Sequence, residues 1–223
     1  MKHIFETFVR IALFVLILFL WLWVLRQPFS SIVNLFIIVG GVLLAFPVVW
    51  FGRRMLDKMP TMSRVALITG FVHYTVVTLC GVSVCRAVVT HQDWSGWILP
   101  VPTTIGLILA VITGAAALLA VANLAVKGLG APFAIALSRK LTTDWMYAWT
   151  RNPMVLATLA FFLSLGIWFR SALFVLWVLI VFAPALLFFV KIYEERELEL
   201  RFGASYLEYK SKTPLLFPRR PRA

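Results

Sequence analysis

The stretch Lys191–Tyr209, KIYEERELELRFGASYLEY, decides how the chain is read. It follows a long apolar run and turns abruptly into charge. Five of the nine acidic residues in the chain, Glu194, Glu195, Glu197, Glu199 and Glu208, fall within it. Acid is scarce elsewhere, and it gathers where the apolar run ends, which is the pattern of a membrane helix emerging into water.

Composition supports that reading. The 223 residues are 62% hydrophobic and 13% charged, with a mean hydropathy of +0.95, more apolar than a soluble core requires. A membrane-crossing helix takes about 20 mostly apolar residues. Six candidate segments are present, at 4–25, 31–51, 65–90, 101–126, 153–169 and 171–193. The fifth is short and meets the sixth through little more than Arg170-Ser171, which predicts a tight helical hairpin that does not fully cross on its own. The fold expected is all-α: a polytopic membrane helical bundle of about six spans with a cytoplasmic C-terminal amphipathic helix. Residues 1–100 form a three-span N-terminal region and residues 101–223 the catalytic region.

A formal charge of +12 could suggest nucleic acid, but the bases sit in short clusters between apolar runs and no basic, aromatic-interleaved module accompanies them. They set topology instead. Of the 21 Lys and Arg, 18 fall on one side of the six spans, and only Arg26, Arg86 and Arg170 fall on the other, so both termini are expected in the cytoplasm. The expected address is a bacterial inner membrane, with the first apolar run retained as a span because it lacks a small-residue cleavage site. Trp94 and Trp97 in HQDWSGW read as interface anchors on the outer side. Cys80 and Cys85 are five apart, without the spacing of a redox or zinc pair, and read as small buried residues. Pro47 and Pro184 each remove a backbone hydrogen bond and should kink their helices. His73, deep in the third span, reads either as a relay or ligand or as a hydrogen-bonded packing residue beside Tyr74 and Thr75.

Three groups face the cytoplasm together. Gly128-Leu129-Gly130 follows the fourth span, where two glycines permit close backbone approach to a ligand or simply end a helix. Tyr147 and Arg151-Asn152-Pro153 precede the fifth span. Pro153 suits a first helical turn, and Arg151 and Asn152 stand where a carboxylate or phosphate is favoured, a lipid phosphate included. Glu194 and Glu195 close the sixth span, where the helix dipole disfavours acid. They call for a cationic or diol-bearing partner, or else pair with Lys191, Arg196 and Arg201. Beyond them Leu198, Phe202, Tyr206 and Tyr209 form one apolar stripe, while Glu197, Glu199 and Glu208 belong to a solvated face. Pro214 and Pro218 end the helix.

The order GxG, then YxxxRNPM opening a helix, then an apolar hairpin, then EExxLxxxFGxxYxxY and a proline-rich tail resembles the membrane methyltransferases that include isoprenylcysteine carboxyl methyltransferases and phosphatidylethanolamine N-methyltransferases. The match spans about Gly128 to Pro218. Where that family commonly has Gly-Pro-Tyr before the arginine, this chain has Trp145-Met146-Tyr147.

The resemblance implies S-adenosylmethionine as methyl donor, bound at the cytoplasmic face, and no metal. It implies that Gly128, Leu129 and Gly130 approach the donor through backbone, that Tyr147, Arg151, Asn152 and Pro153 hold its polar groups, and that Glu194 and Glu195 meet its ribose or ammonium, with Tyr206 and Tyr209 beside them. Arg151 and Glu195 are the catalytic candidates. The acceptor implied is a lipid or other hydrophobic molecule bearing a carboxylate, amine or thiol, with membrane lipids as surroundings. The second reading is a catalytically silent relative serving as a membrane scaffold or partner-binding protein.

Overall fold

The computed structural model describes residues 2–58, 61–94, 97–128, 138 and 140–220, the side chains of residues 2–7 and 94 excepted. Leu129 and Gly130 therefore lie outside the described residues, as does the Trp94 side chain. The described chain forms α1 (Lys2–Arg26), α2 (Ser31–Lys58), α3 (Met62–Thr90), α4 (Thr103–Gly128), α5 (Met146–Trp149), α6 (Pro153–Trp168), α7 (Ala172–Phe202) and α8 (Ala204–Lys212). No strand occurs among the described residues.

Five of these helices are long and apolar enough to cross a membrane, so the chain is an integral membrane protein with an all-α polytopic fold. The sixth apolar segment, α6, has 16 residues. At 1.5 Å per residue it spans about 24 Å, short of a hydrocarbon core of about 30 Å. The weak fifth span expected from sequence is thus present and too short to cross unaided.

Water does not drive helices together inside lipid, so close backbone approach through small residues has to. The heart of the bundle is α2, α3 and α7, where Val42, Val49, Leu56, Val72, Phe174, Val178 and Tyr193 are buried. Phe19 and Leu16 on α1 and Ile108, Leu118 and Leu119 on α4 remain exposed, as lipid-facing side chains should. The most extensive pairing joins α4 to α6. At its tightest point a Cβ added to Gly106 would sit 2.7 Å from the carbonyl carbon of Ile167, so only glycine allows the two backbones this close.

Polar groups inside the bundle are matched rather than avoided. Arg86 is 2% exposed. Its Nη1 donates to the carbonyls of Val24 and Gln27 at 2.8 and 2.9 Å, and its Nε to Asn34 Oδ1 at 2.8 Å. Those carbonyls lie at the C-terminal end of α1, where the helix leaves its acceptors unpaired and a cation is favoured. Arg86 therefore pins α1 to α2 and α3.

The hairpin between α6 and α7 turns through Phe169, Arg170 and Ser171. Arg170 has φ +55°. Its N–H donates to Ile167 O at 3.0 Å and that of Ser171 to Gly166 O at 2.9 Å, the pair of bonds that defines a Schellman ending. The turn is tied to the connection between α3 and α4: Leu99 N–H donates to Arg170 O and Ala172 N–H to Trp97 O. Both connections thus share one end of the bundle, as the charge count requires, and Trp97 is exposed there.

Pro47 sits within the α-helical stretch Gly41–Lys58. Pro184 is preceded by a π-helical turn at Val178–Phe182, a local widening that accommodates its missing N–H. A second π turn, Phe189–Glu194, leads directly into Glu195.

Candidate active site

The helix carrying the acidic cluster does not stop at the membrane boundary. It runs unbroken through Glu194 and Glu195 to Phe202, so the expectation that these acids end a helix is corrected. Their cost is burial rather than the dipole. Gly203, at φ +54°, breaks the helix, and α8 then brings the chain back over the start of α6. This return is what assembles the site.

Arg151 sits at the centre of it. Its side chain is 10% exposed, and its Nη2 meets Glu195 Oε1 at 2.5 Å, the carboxylate being 9% exposed. Nη1 donates to the carbonyls of Lys210 and Thr213, both at 2.7 Å, and the Arg151 backbone N–H donates to Pro214 O at 2.9 Å. Lys210 Nζ then joins Glu195 Oε2 at 2.8 Å and Glu199 Oε1 at 3.0 Å. Burial by itself would lower the Lys210 ammonium, but its hydrogen bonds to Glu195 and Glu199 outweigh that and raise it. The rest of the return is sewn down by Tyr209 Oη donating to Tyr147 O at 2.6 Å, Asn152 Nδ2 to Leu215 O at 3.0 Å, and Thr150 Oγ1 to the same carbonyl at 3.2 Å.

Beneath this seam lies a cavity of about 390 Å³, a volume within the range of small-molecule sites. Its polar end is lined by Tyr147, Arg151, Asn152, Glu194, Glu195, Tyr206 and Tyr209. From there it continues between the membrane helices along Val76, Cys80, Val84, Phe162, Phe182 and Leu186 as far as Trp21. On α7 the lining residues Glu194, Leu198, Arg201 and Phe202 follow spacings of four and three, one face of a helix. Burial pushes the hydroxyls of Tyr147, Tyr206 and Tyr209 well above the ordinary phenol range, so all three stay neutral at working pH.

Several polar groups on the cavity wall have no hydrogen-bond partner among the described residues, Trp21 Nε1 and Thr142 Oγ1 included, and two of them lie at its charged end. The Nε of Arg151 is buried without a hydrogen-bond partner. Glu194 lines the cavity, and its carboxylate has no hydrogen bond or ion pair with any described residue. Glu195, by contrast, is satisfied on both oxygens.

Of the residues singled out in the sequence, Tyr147, Arg151, Asn152, Glu194, Glu195, Tyr206 and Tyr209 therefore meet around one cavity. Gly128 does not line it. Its carbonyl accepts from Lys140 N–H at 3.2 Å, and a Cβ there would lie 2.7 Å from Thr142 Oγ1. Leu124, one turn earlier, and Thr142 reach the cavity instead. Pro153 opens α6 as its first residue and faces a second, apolar groove shared with Ala116 and Ala157.

The solvated face assigned to Glu197 is corrected. Glu197 is 3% exposed, because Arg201 at i+4 holds it at 2.6 Å and also donates to the carbonyl of Ser138. A neutralised pair can be buried where a lone acid cannot. Glu199 is half-buried against Arg196 and Lys210, and Glu208 does face solvent, paired with Lys212 at 2.9 Å. Sequence reasoning missed Lys210. Glu195 and Glu199 at i, i+4 announce the need for a cation, but the cation comes from beyond the Gly203 turn. Met154 and His73 also line the cavity.

No curated protein and no solved structure matches the chain. The segment that supplies most of this site, residues 101–205, matches the family model for phospholipid methyltransferase. That segment, a little under half of the chain, is similar to the phospholipid methyltransferase family of membrane methyltransferases.

Proposed function

We propose that this chain transfers a methyl group from S-adenosylmethionine to a hydrophobic acceptor at the cytoplasmic face of the membrane. One observation carries the reading: a single cavity joins a charged and hydroxylated end to an apolar arm between the membrane helices. A polar donor and a lipid-like acceptor require that pairing of surfaces in one space.

The residues present fit the donor. It offers an ammonium, a ribose diol and a carboxylate, and the wall offers two groups without a partner among the described residues, the carboxylate of Glu194 and the buried guanidinium N–H of Arg151 Nε. Glu194 would hold the diol or ammonium, and Arg151 Nε with Asn152 would face the carboxylate, while Tyr206 and Tyr209 close the pocket. When bound, the donor supplies a methyl carbon activated by a sulfonium. The chain binds both partners, orients them and excludes water, so proximity and desolvation supply most of the acceleration. Glu195 and Lys210 act on that geometry through Arg151, which they hold.

A second reading, a catalytically silent scaffold, draws on the Arg151–Glu195–Lys210 set, which is satisfied without any ligand. Calorimetric titration of detergent-purified protein with S-adenosylmethionine and with its demethylated product separates the two. Binding by the native chain, weakened by Glu194→Gln, supports the enzyme. A folded native chain that binds neither compound refutes it.

A further inference from the structure

A second groove lies on the back of the wall that carries Arg151. It is bounded by Ala116 on α4, Trp149 on α5, Leu156, Ala157 and Ala160 on α6, and Pro218 in the tail, and holds about 340 Å³. On α6 the cavity takes the opposite side, at Met154, Val155 and Thr158. The two spaces share no lining side chain among the described residues, so methyl transfer in one leaves the other without a role.

The groove offers an occupant almost nothing polar. Its two hydroxyls are satisfied inside the chain: Thr113 Oγ1 donates to Leu109 O at 2.7 Å and Thr150 Oγ1 to Leu215 O at 3.2 Å. Its length is also telling. From Pro153 to Ala160 the helix advances about 10 Å, against about 15 Å for half of a hydrocarbon core. The groove therefore stays within one leaflet, enough for an acyl chain and too short to seat a partner's spanning helix along its length.

Its mouth is basic. The tail passes from Pro218 into Arg219 and Arg220, both exposed. Arg219 N–H donates to the carbonyl of Trp149 at 3.0 Å and its Nη2 to Lys212 O at 3.3 Å, which anchors the guanidinium beside the groove with most of its five N–H donors unused. Neither arginine has an ion pair among the described residues. Trp149 is exposed and suits the level of the lipid head groups.

We infer that the groove binds one anionic phospholipid as a resident lipid, with an acyl chain along α6 and the phosphate on Arg219 and Arg220. Basic groups at the end of an apolar crevice between membrane helices are what such a head group recognises. A second copy of the chain is the poorer occupant, because a two-fold interface sets a patch against itself and would bring two pairs of arginines together. The lipid also backs the site: Met146 and Trp149 face the groove while Tyr147 faces the cavity, so a filled groove braces the wall that holds Arg151. The inference does not rest on the proposed methyl transfer.

The test uses the full chain in phosphatidylcholine vesicles. Bromine on an acyl chain quenches an indole that it touches, and with nine tryptophans present the Trp149 signal is the difference between the native chain and Trp149→Phe. Brominated phosphatidylglycerol should quench that signal at a mole fraction about 10- to 30-fold lower than brominated phosphatidylcholine does, the preference that two arginines supply. Arg219→Gln with Arg220→Gln, at exposed positions, and Ala160→Leu, which fills the groove, should each leave the two lipids equal. In detergent, phosphatidylglycerol at tenfold its dissociation constant should raise the native Tm by about 3–6 °C, while phosphatidylcholine and inorganic phosphate should not. Equal quenching by the two lipids in the native chain, a preference that survives in the double variant, or a Tm rise with inorganic phosphate as large as with the lipid overturns the inference. A native dimer that Ala160→Leu returns to monomer overturns it as well, and gives the groove to a second copy.

Discussion

Removing the Arg151 side chain should destabilise the protein more than any other single truncation around the cavity. In Arg151→Ala, three charge-assisted bonds are lost, at 2.5, 2.7 and 2.7 Å, from a guanidinium that is 10% exposed. Two carbonyls at the end of α8 lose their donors, and Glu195, 9% exposed, keeps only Lys210. Breaking a buried pair from one side costs about 3–5 kcal/mol. Lys210 still neutralises Glu195, so the lower end, about 3 kcal/mol, is expected. For a chain of this length that is a fall in Tm of roughly 6–12 °C, read by near-ultraviolet circular dichroism of detergent-purified protein.

The cause can be isolated by a cycle. If the Arg151–Glu195 contact dominates, Arg151→Ala combined with Glu195→Ala should be little worse than Arg151→Ala alone, because the second change removes an acid that the first has already left exposed to cost. A coupling of at least about 1.5 kcal/mol is expected between residues in such direct contact. Arg151→Lys should recover part of the charge but not the fork that reaches Glu195 and two carbonyls at once, and so fall between. A Tm for Arg151→Ala within about 2 °C of the native value would refute the claim that this arginine braces the return of α8.

Three other outcomes follow from the same geometry. Glu194→Gln should raise Tm rather than lower it, since it removes an acid on the cavity wall that no described residue pairs with, while weakening donor binding by about 10-fold or more in calorimetry. Gly106→Ala should cost about 1–3 kcal/mol by overpacking, seen as a lowered Tm with the helical signal intact, because its Cβ would press on the backbone at the end of α6. The Lys210 ammonium is raised in the folded chain, so whatever it contributes is fully present below its ordinary value of 10.5 and is lost as pH rises through the higher folded value. A pH series of Tm should therefore show no Lys210-dependent decline up to pH 9, the native and Lys210→Met curves running parallel there and converging only above about pH 10.5.

Most of the fold could be read from the chain because lipid leaves few alternatives. A run of twenty apolar residues must be a helix, and the bias of basic residues across the runs put the Trp97 and Arg170 connections at one end, where Leu99 and Arg170 are hydrogen-bonded. That some of the site residues would lie together was legible for a related reason: charged residues beside a membrane need partners, and Arg151, Glu194 and Glu195, which line one cavity, were conspicuous by their setting. What sequence could not supply was the pairing. Glu194 and Glu195 are adjacent and chemically identical, yet the π turn at Phe189–Glu194 and the reversal at Gly203 give one two cations and the other none among the described residues. Spacing made Glu197 look solvated, because an i, i+4 pair with Arg201 is compatible with either water or burial, and the choice belongs to what packs outside it. The reversal at Gly203 carries the greatest consequence. It brings Lys210 eleven residues back along the chain to Glu199, uses Glu195 and Arg151 to hold the lid of the cavity, and leaves Glu194 as the one acid of the pair free to meet a ligand.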